Sequence, residues 1–415
     1  MRRNLPLLAL ALVLTFSGGL GVVAQSDPVT ELVDGNTAFA LDLYAAMNSD
    51  DGNLFISPYS ISQALAMTYA GAEGATAKQM AEVLHFTLGP DRVPVAFQTL
   101  NDDLVTRGTG PANTDYGYPP RSLQIANGLW GEQTFPFSSI FSDTLAEHYG
   151  AGLQPADFQN DPDGVREEIN DWVAQHTEDK IQNIVPEGAI TRDSRMVLAN
   201  AIYFYGGWLD TFDVNQTANG DFHRADGSTT SVPFMHQQEF FSYAAGEGYQ
   251  VIQLPYAESQ FAFTVILPDD GRFGEVEADL NPESLAAALA STGSRELVLS
   301  MPKFEFDYST SLAITLQAMG MTDAFNSSLA DFSGMQEAGS TEPLWIGDVL
   351  HKAFISVDEE GTEAAAATAV LMVGAAAPTD PPLEVNIDRP FIFLIRDMQT
   401  GTILFIGRVM DPSGT

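Results

Sequence analysis

The sequence predicts an α+β protein built on large β-sheets. Helix-type periodicity and helix-capping patterns are concentrated in the first part of the 415-residue chain, whereas apolar runs of strand length fill the rest. Helices followed by strands are typical of the α+β class. No linker rich in Pro, Gly and Ser divides the chain and no internal repeat is visible, which favours a single large domain.

Four stretches in the first part of the chain predict α-helices. One has apolar residues at four-residue spacing, two begin with residues that cap helix N-termini, and one is strongly amphipathic. In chain order they are marked by Phe39, Leu43 and Met47; by Ser57 and Pro58; by Thr76 and Gln79; and by Val165, Ile169, Trp172, Val173 and His176. Ser57 is placed to cap its helix, Pro58 to occupy the first helical position, and Thr76 with Gln79 fits a capping box.

Apolar runs in the second half of the chain predict β-strands. The run at 196–204 is nearly continuous, as expected of a strand that is covered on both faces. Further strands are predicted at 262–267, 297–306 and 350–357. Near the end, the runs at 391–395 and 402–409 flank Gln399-Thr400-Gly401, which predicts a buried hairpin.

Residues 1–24 predict a secretory signal peptide that is not part of the fold. A positively charged start (residues 1–3) is followed by an apolar run at 7–16 and by small residues up to Ala24. An uncleaved membrane anchor is the alternative, but the run is short for a span of about 20 residues. We therefore expect a domain at 25–415 that is secreted to the extracellular space or the periplasm, without a membrane anchor.

Composition excludes several classes of function. The formal net charge is −37, and removal of the two arginines of the predicted signal brings it to −39 (−37 − 2). Such a surface repels nucleic acid and anionic lipid, and it favours a basic partner. There is no cysteine, and no phosphate loop, nucleophile elbow or metal-ligand spacing is present. The sequence therefore predicts neither an enzyme nor a cofactor or metal site.

The stretch from Glu359 to Pro382 needs its own explanation. Two glutamates, a glycine and Thr362 are followed by small and aliphatic residues and then by a proline-rich end. An alanine-rich helix or a flexible linker is one interpretation. The stretch directly follows a predicted strand and lacks a helical stripe, so an exposed, extended segment is the better interpretation.

Segments distributed along the chain resemble the serpin family, in particular bacterial-type members without cysteine. In chain order they are 53–60, 169–173, 196–204, Gly207-Trp208, 301–304, 349–353, 358–367 and 389–393. Each is only suggestive alone, but eight in the family's order are specific. One departure is Tyr205-Gly206-Gly207, where a version containing lysine is more usual.

The resemblance implies the serpin fold, with three β-sheets, about nine α-helices and an exposed reactive-centre loop at about 359–382. It also implies a mechanism in which a serine protease cuts the loop and is caught as an acyl-enzyme, while the freed segment inserts as a central strand of the main sheet. The implied molecule is a monomeric inhibitor. A non-inhibitory serpin acting as a carrier, chaperone or storage protein is the alternative, but its hinge would tolerate bulky residues.

The family's site residues are transferred to the matching positions of this chain. The segment that leads into the loop, here called the hinge, is Glu359, Glu360, Gly361, Thr362, Glu363, Ala364, Ala365, Ala366 and Ala367. The polar group beneath the parting strands of the main sheet, here called the shutter, is Ser57, Ser60, Asn200 and His351. The group at the top of that sheet, here called the breach, is Trp208, Lys303 and Glu359. Helix capping, core packing and unrelated surface charges are the alternative interpretations.

Alternation in a strand makes the loop sequence suitable for insertion. If Thr362 enters the sheet facing inward, every second residue after it does the same. Those residues are Ala364, Ala366, Thr368, Val370 and Met372, and none is charged. A charge at Thr362 would be buried by insertion, at severe cost.

The family's usual spacing places the cleaved bond between Ala375 and Ala376. The distance from the hinge to Pro390 is a few residues longer than is common, so any bond from Met372 to Ala377 stays open. No Lys or Arg lies at 353–388, and no aromatic residue at 355–390. Elastase-like or subtilisin-like proteases, which have small primary pockets, are therefore the expected partners.

Overall fold

The computed structural model describes residues 27–48, 52–113, 118–150, 152–340, 342–362 and 381–414. Within them lie nine α-helices: α1 (Pro28–Met47), α2 (Pro58–Tyr69), α3 (Gly74–Val83), α4 (Val93–Gly108), α5 (Ser139–Tyr149), α6 (Pro162–His176), α7 (Phe273–Ala278), α8 (Pro282–Ala290) and α9 (Ala313–Met319). The strands are β1 (Leu54–Ile56), β2 (Ser122–Glu132), β3 (Leu153–Ala156), β4 (Met196–Gly207), β5 (Ala218–His223), β6 (Thr229–Ala245), β7 (Tyr249–Pro255), β8 (Phe261–Pro268), β9 (Gly293–Pro302), β10 (Phe304–Ser311), β11 (Leu350–Val357), β12 (Gly361–Thr362), β13 (Leu383–Asn386), β14 (Phe391–Asp397) and β15 (Ile403–Val409).

Two hydrogen-bonded sheets organise these strands. The six-stranded main sheet has the order β10-β11-β12-β4-β2-β3. The nine-stranded sheet has the order β1-β15-β14-β8-β7-β6-β9-β13, and β5 pairs with β6. The long strand β6 pairs with β5, β9 and β7 along its length, so the larger sheet consists of two parts that share β6. These two parts and the main sheet together make three sheets. The predicted α+β architecture is therefore confirmed.

The core lies between the main sheet and the strands behind it. Helix α2 crosses this space, and all twelve of its residues are buried. Ser57 caps the helix by accepting a hydrogen bond from the Ser60 backbone N–H, and Pro58 occupies its first turn, as predicted. A smaller apolar cluster joins α6 to the outer face of the main sheet through residues such as Ile169, Val173 and Ala201.

Two local predictions are wrong. The strand expected at 297–306 is two strands in different sheets, because the chain leaves β9 at Lys303 and enters β10. The capping box expected at Thr76 is absent, because α3 already begins at Gly74. The Thr76 hydroxyl instead accepts a hydrogen bond from the Asp331 backbone N–H, at 2.9 Å. None of the helices described is long and apolar enough to cross a bilayer.

Candidate functional site

The main sheet is closed at one end and opened at the other. Strands β4 and β11 run parallel and pair directly at two positions, Leu350 with Ala199 and His351 with Asn200. Toward the other end, β12 lies between them and pairs antiparallel with both. Between these points, 201–205 of β4 and 352–356 of β11 do not pair with each other or with another strand on the edges that face one another, within the described part of the chain. The sheet therefore has an opening of strand width, and β12 fills its upper end.

The upper end of the opening is filled by Thr362. Its side chain is 3% exposed, and its hydroxyl shares a hydrogen bond of 2.6 Å with the Tyr256 hydroxyl. The Tyr256 ring stacks on Trp208, with centroids 4.9 Å apart and planes 11° apart. Burial raises the pKa of Tyr256, so its phenol stays protonated. Thr362 thus faces inward against Tyr256, in a position that excludes the solvent that a charged side chain would need.

Gly361 brings the hinge into close contact with β4. A Cβ atom at this position would overlap the carbonyl oxygen of Gly206 and lie 2.6 Å from the Cα of Gly207. The backbone of the hinge therefore packs directly on the backbone of β4 at Gly206 and Gly207. Any larger residue at position 361 would push β12 away from β4.

Glu359 is anchored at the breach by two neighbours. Its side chain is 6% exposed and accepts hydrogen bonds from Lys303 Nζ and from Thr217 Oγ1, both at 2.6 Å. Burial raises the pKa of Glu359, but the hydrogen bonds from Lys303 and Thr217 outweigh burial and hold it below its usual value. The carboxylate is therefore ionised at neutral pH, and the predicted pairing of Lys303 with Glu359 is present.

Trp208 holds the backbone of the same segment. Its indole N–H donates to the Asp358 carbonyl at 2.9 Å, and its backbone N–H donates to the Glu360 carbonyl at 2.8 Å. The pKa of the neighbouring Glu360 shifts in the opposite direction to that of Glu359. Burial and the charges of Asp358 and Glu359 raise it. The three breach residues are thus brought together around the start of the hinge.

The shutter residues meet where β4 and β11 still pair. Ser57 Oγ donates to the Leu404 carbonyl at 2.7 Å, and the Ser57 backbone N–H donates to His351 Nε2 at 3.2 Å. Asn200 Nδ2 donates to the Ser60 carbonyl at 2.8 Å and also contacts Ser60 Oγ. All four predicted shutter residues therefore form one buried group behind the joint of the two strands.

The sequence did not predict two further members of this group. Asn200 Nδ2 also donates to Asn127 Oδ1, and Asn127 Nδ2 donates to Gln63 Oε1 at 2.8 Å. Asn127 lies on β2 and Gln63 on α2. The sequence signal for Asn127 is a single asparagine within a largely apolar strand. Gln63 has no such signal, because the periodicity of α2 does not show that the helix is buried on all sides.

His351 is neutral and incompletely hydrogen-bonded. Burial lowers its pKa to about 3. Because Nε2 accepts a hydrogen bond from the Ser57 backbone, the ring proton lies on Nδ1. Among the described residues, neither His351 Nδ1 nor Asn200 Oδ1 has a hydrogen-bond partner, although both atoms are buried. An unused donor and an unused acceptor therefore lie on opposite sides of the strand joint.

We expect His351 to make the fold sensitive to acid. Its pKa in the folded chain lies below the value of 6.5 of an exposed histidine. Its contribution is therefore complete above pH 6.5, and it is lost as the pH falls toward 3, at up to roughly 1.4 kcal/mol per pH unit. Urea unfolding at several pH values between 7 and 4.5 should show a smaller slope for His351→Gln than for the wild type. Equal pH dependence of stability in the two proteins would contradict a neutral, buried histidine. Substitution of the partly buried His236 by glutamine provides the control.

Other predicted site residues lie outside the described part of the chain. These are the signal peptide at 1–24, the hinge residues Glu363, Ala364, Ala365, Ala366 and Ala367, and the bond between Ala375 and Ala376. All of them stay predictions.

Comparisons of sequence identify one family. The sequence profile described as "Serpin (serine protease inhibitor)" matches residues 34–412. The chain is 37% identical over 393 residues to the leukocyte elastase inhibitor of Homo sapiens, which covers 92% of this chain and 100% of that protein. It is also 37% identical over 399 residues to antithrombin-III of Mus musculus, which covers 94% of this chain and 83% of that one.

Solved structures agree with the sequence comparisons. The native state of tengpin, a thermophilic serpin, has a TM-score of 0.81 and 30% identity, and the match covers 93% of this chain and 95% of that one. Human thyroxine-binding globulin, solved in complex with thyroxine, has a TM-score of 0.80 and 28% identity, and the match covers 93% of this chain and 100% of that one. The same fold is thus found in proteins whose names indicate different functions.

Proposed function

Since the chain belongs to the serpin family of serine protease inhibitors, we propose that it traps its target as an acyl-enzyme by inserting its own cleaved loop into the main sheet. The observation that carries this proposal is the position of the hinge. Thr362 is already paired with both β4 and β11 at the upper end of an opening that one further strand would fill. Insertion would therefore lengthen β12, which already lies between the two strands.

The register of β12 supports a specific position for each residue of the proposed inserted strand. Thr362 lies opposite position 357 of β11 and position 206 of β4, antiparallel to both. If the strand continues in this register, Thr368, six residues farther along, would come opposite His351, since 357 − 6 = 351, and opposite Asn200, since 206 − 6 = 200. Two pairings, one to each neighbouring strand, thus support the same position for Thr368 at the shutter after insertion.

Thr368 has the chemistry that this position lacks. A hydroxyl both donates and accepts, so it suits the unpartnered Nδ1–H of His351 and the unpartnered Oδ1 of Asn200. A buried polar atom without a partner costs about 1–3 kcal/mol. Insertion would relieve two such costs and would also pair the backbone groups that line the opening. These new hydrogen bonds support an insertion that lowers the free energy of the chain once the loop is cut.

The face of the new strand also suits burial. Because Thr362 faces inward, alternate residues after it face the core and the others face outward. The inward residues would be Ala364, Ala366, Thr368, Val370 and Met372. They are small near the breach and larger farther down, so they enter the sheet without burying a charge.

The loop composition supports a target with a small primary pocket. Between Lys352 and Arg389 there is no basic residue, which disfavours a trypsin-like protease. The small residues around Ala375-Ala376 suit an elastase-like or subtilisin-like protease instead. Several relatives are named leukocyte elastase inhibitors, which agrees with this substrate class.

A mixing experiment tests the proposed function. Incubation with an elastase-like serine protease should give a covalent complex of the two chains that survives boiling in detergent, whereas a trypsin-like protease should give none. Clean cleavage of the loop with full retention of protease activity would support the alternative of a non-inhibitory serpin. Mass spectrometry of the released C-terminal peptide would also identify the cleaved bond within Met372–Ala377.

We also propose that the protein is secreted and acts as a monomer without a cofactor. The order of charged, apolar and small residues at 1–24 supports secretion. The net charge of −37 disfavours nucleic acid and anionic membranes as partners.

A further inference from the structure

We propose that a cavity below the joint of β4 and β11 binds a small zwitterionic molecule with an apolar side chain, such as a free aromatic amino acid, and that its occupant delays insertion. The cavity, of about 340 Å³, lies between the loop at 185–195, the first residues of β4 and the segment 345–350 that enters β11. It is here called the lower cavity. The delay rests on the proposed function, whereas the binding does not.

The lower cavity continues the line of the opening on the other side of the joint. Met196, Val197 and Leu198 all line it, although their side chains alternate between the two faces of β4, so the cavity borders the edge of the strand. The opposite edge of this stretch pairs with β2. Toward β11, direct pairing begins only at Ala199 with Leu350. The walls of the cavity are therefore the two stretches of chain that have not yet joined.

Apolar side chains form the inner part of the lower cavity. Val185 and Ile190 contribute buried aliphatic groups from the loop, and the partly buried ring of Trp345 lies across from them on the segment that enters β11. An apolar lining with an aromatic side chain is typical of small-molecule sites, whose volumes begin at about 300 Å³. The lower cavity is near that limit, so the apolar part of its ligand is about one large side chain.

Two partly buried charges of opposite sign line the same cavity, Arg195 and Asp348. Within the part of the chain that the structure describes, neither forms an ion pair: Arg195 donates to two nearby backbone carbonyls, and Asp348 Oδ1 accepts from Ser311 Oγ and the Val349 N–H, both at 2.7 Å. The exposed Asp193 adds a second carboxylate. A ligand with a carboxylate and an ammonium group satisfies both signs, whereas a ligand with one charge leaves a like charge facing it.

The lower cavity also lies on the proposed path of the inserted strand. If the register of β12 continues, Val370 would come opposite Leu198 on one side and position 349 on the other. Met372 would come opposite Met196 and position 347. A bound ligand would have to leave before these residues could pair with either wall. Because such a ligand binds the intact sheet better than the filled one, it favours the intact sheet and delays insertion.

Calorimetric titration of the intact full-length protein with three indole compounds tests the class of ligand. L-Tryptophan carries both charges, tryptamine carries only the ammonium group, and indole-3-propionate carries only the carboxylate. L-Tryptophan should bind at least about tenfold more tightly than either of the others, because it alone makes both charged hydrogen bonds. Equal or tighter binding of either singly charged compound, or no saturable binding of L-tryptophan at millimolar concentration, would overturn the site.

Two substitutions locate the bound ligand. Arg195→Met removes the guanidinium and keeps an apolar chain, so it should weaken L-tryptophan binding about tenfold without weakening tryptamine binding. Asp348→Asn keeps the oxygen that accepts from Ser311 and Val349, and it should weaken binding of L-tryptophan and tryptamine but not of indole-3-propionate. Arg192→Met is the matched control, because Arg192 is exposed and does not line the cavity. An equal loss of L-tryptophan binding in this control would contradict the assignment.

Inhibition kinetics test the delay. Saturating L-tryptophan should slow covalent complex formation with an elastase-like protease and increase the number of inhibitor molecules consumed per protease, in the wild type but not in Arg195→Met. Unchanged kinetics with L-tryptophan bound would overturn the delay. A chain cut within Met372–Ala377 that has gained thermal stability should no longer bind L-tryptophan, and binding equal to that of the intact chain would contradict the shared space. If the wild type is cleaved without a covalent complex, the proposed function fails, but titration of the intact chain still decides the site.

Discussion

Thr362→Arg is expected to convert the inhibitor into a substrate. The wild-type side chain is 3% exposed and is hydrogen-bonded to Tyr256, beneath the ring that stacks on Trp208. An arginine cannot enter that space without burying its charge, and an unpaired buried charge costs several kcal/mol. The hinge would stay outside the sheet, so the acyl-enzyme would hydrolyse before insertion. We expect cleavage of the loop, release of active protease and loss of the detergent-resistant complex.

Two control substitutions separate insertion from simple damage to the fold. Thr362→Ser keeps the hydroxyl that bonds Tyr256 and should preserve inhibition. Glu363→Arg places the same charge one position later, where alternation predicts that the side chain faces outward. It should inhibit nearly as well as the wild type. If Thr362→Arg formed the covalent complex at the wild-type rate, or if Glu363→Arg lost it equally, the predicted facing of the inserted strand would be wrong.

The parts of the fold that the sequence predicted are those determined by neighbouring residues. The Ser57-Pro58 start of α2 depends on one hydrogen bond across three residues, and it was predicted correctly. The amphipathic helix α6 and the strand β11 follow from their own periodicity. Thr76 shows the limit of this reasoning, because a distant loop, through Asp331, uses the hydroxyl that a capping box would need.

The sequence predicted which residues belong to the candidate site, but it did not predict their contacts with distant residues or the register of the strands. Tyr256 is 106 residues from Thr362, and Thr217 is 142 residues from Glu359. Contacts over such separations leave no local pattern, so neither partner was predicted. The break at Lys303 was missed for the same reason: two apolar strands that follow one another look continuous until their different sheets are known. Register is also non-local, and the proposal that Thr368 reaches the shutter on insertion depends on the observed pairing of Thr362.

The pairing of β12 also explains why the native sheet is expected to be metastable. Two residues of the hinge hold the opening at its upper end, and the direct pairing of His351 with Asn200 closes it below. The strand edges between these points have no direct partner within the residues described, and the shutter has two unpartnered polar atoms. Under the proposed mechanism, all of these groups would gain partners from the chain's own loop once cleavage has given the loop a free end.

The most direct test of insertion compares the thermal midpoint of unfolding of the intact chain with that of a chain cut within Met372–Ala377. The comparison shows whether the main sheet takes up the freed segment as a new strand. Insertion of the freed segment should stabilise the cut chain by several kcal/mol and raise the midpoint by roughly 10 °C or more. The same cut in Thr362→Arg should give little increase. An unchanged midpoint in the cut wild-type chain, with the freed segment still open to hydrogen exchange, would contradict the account.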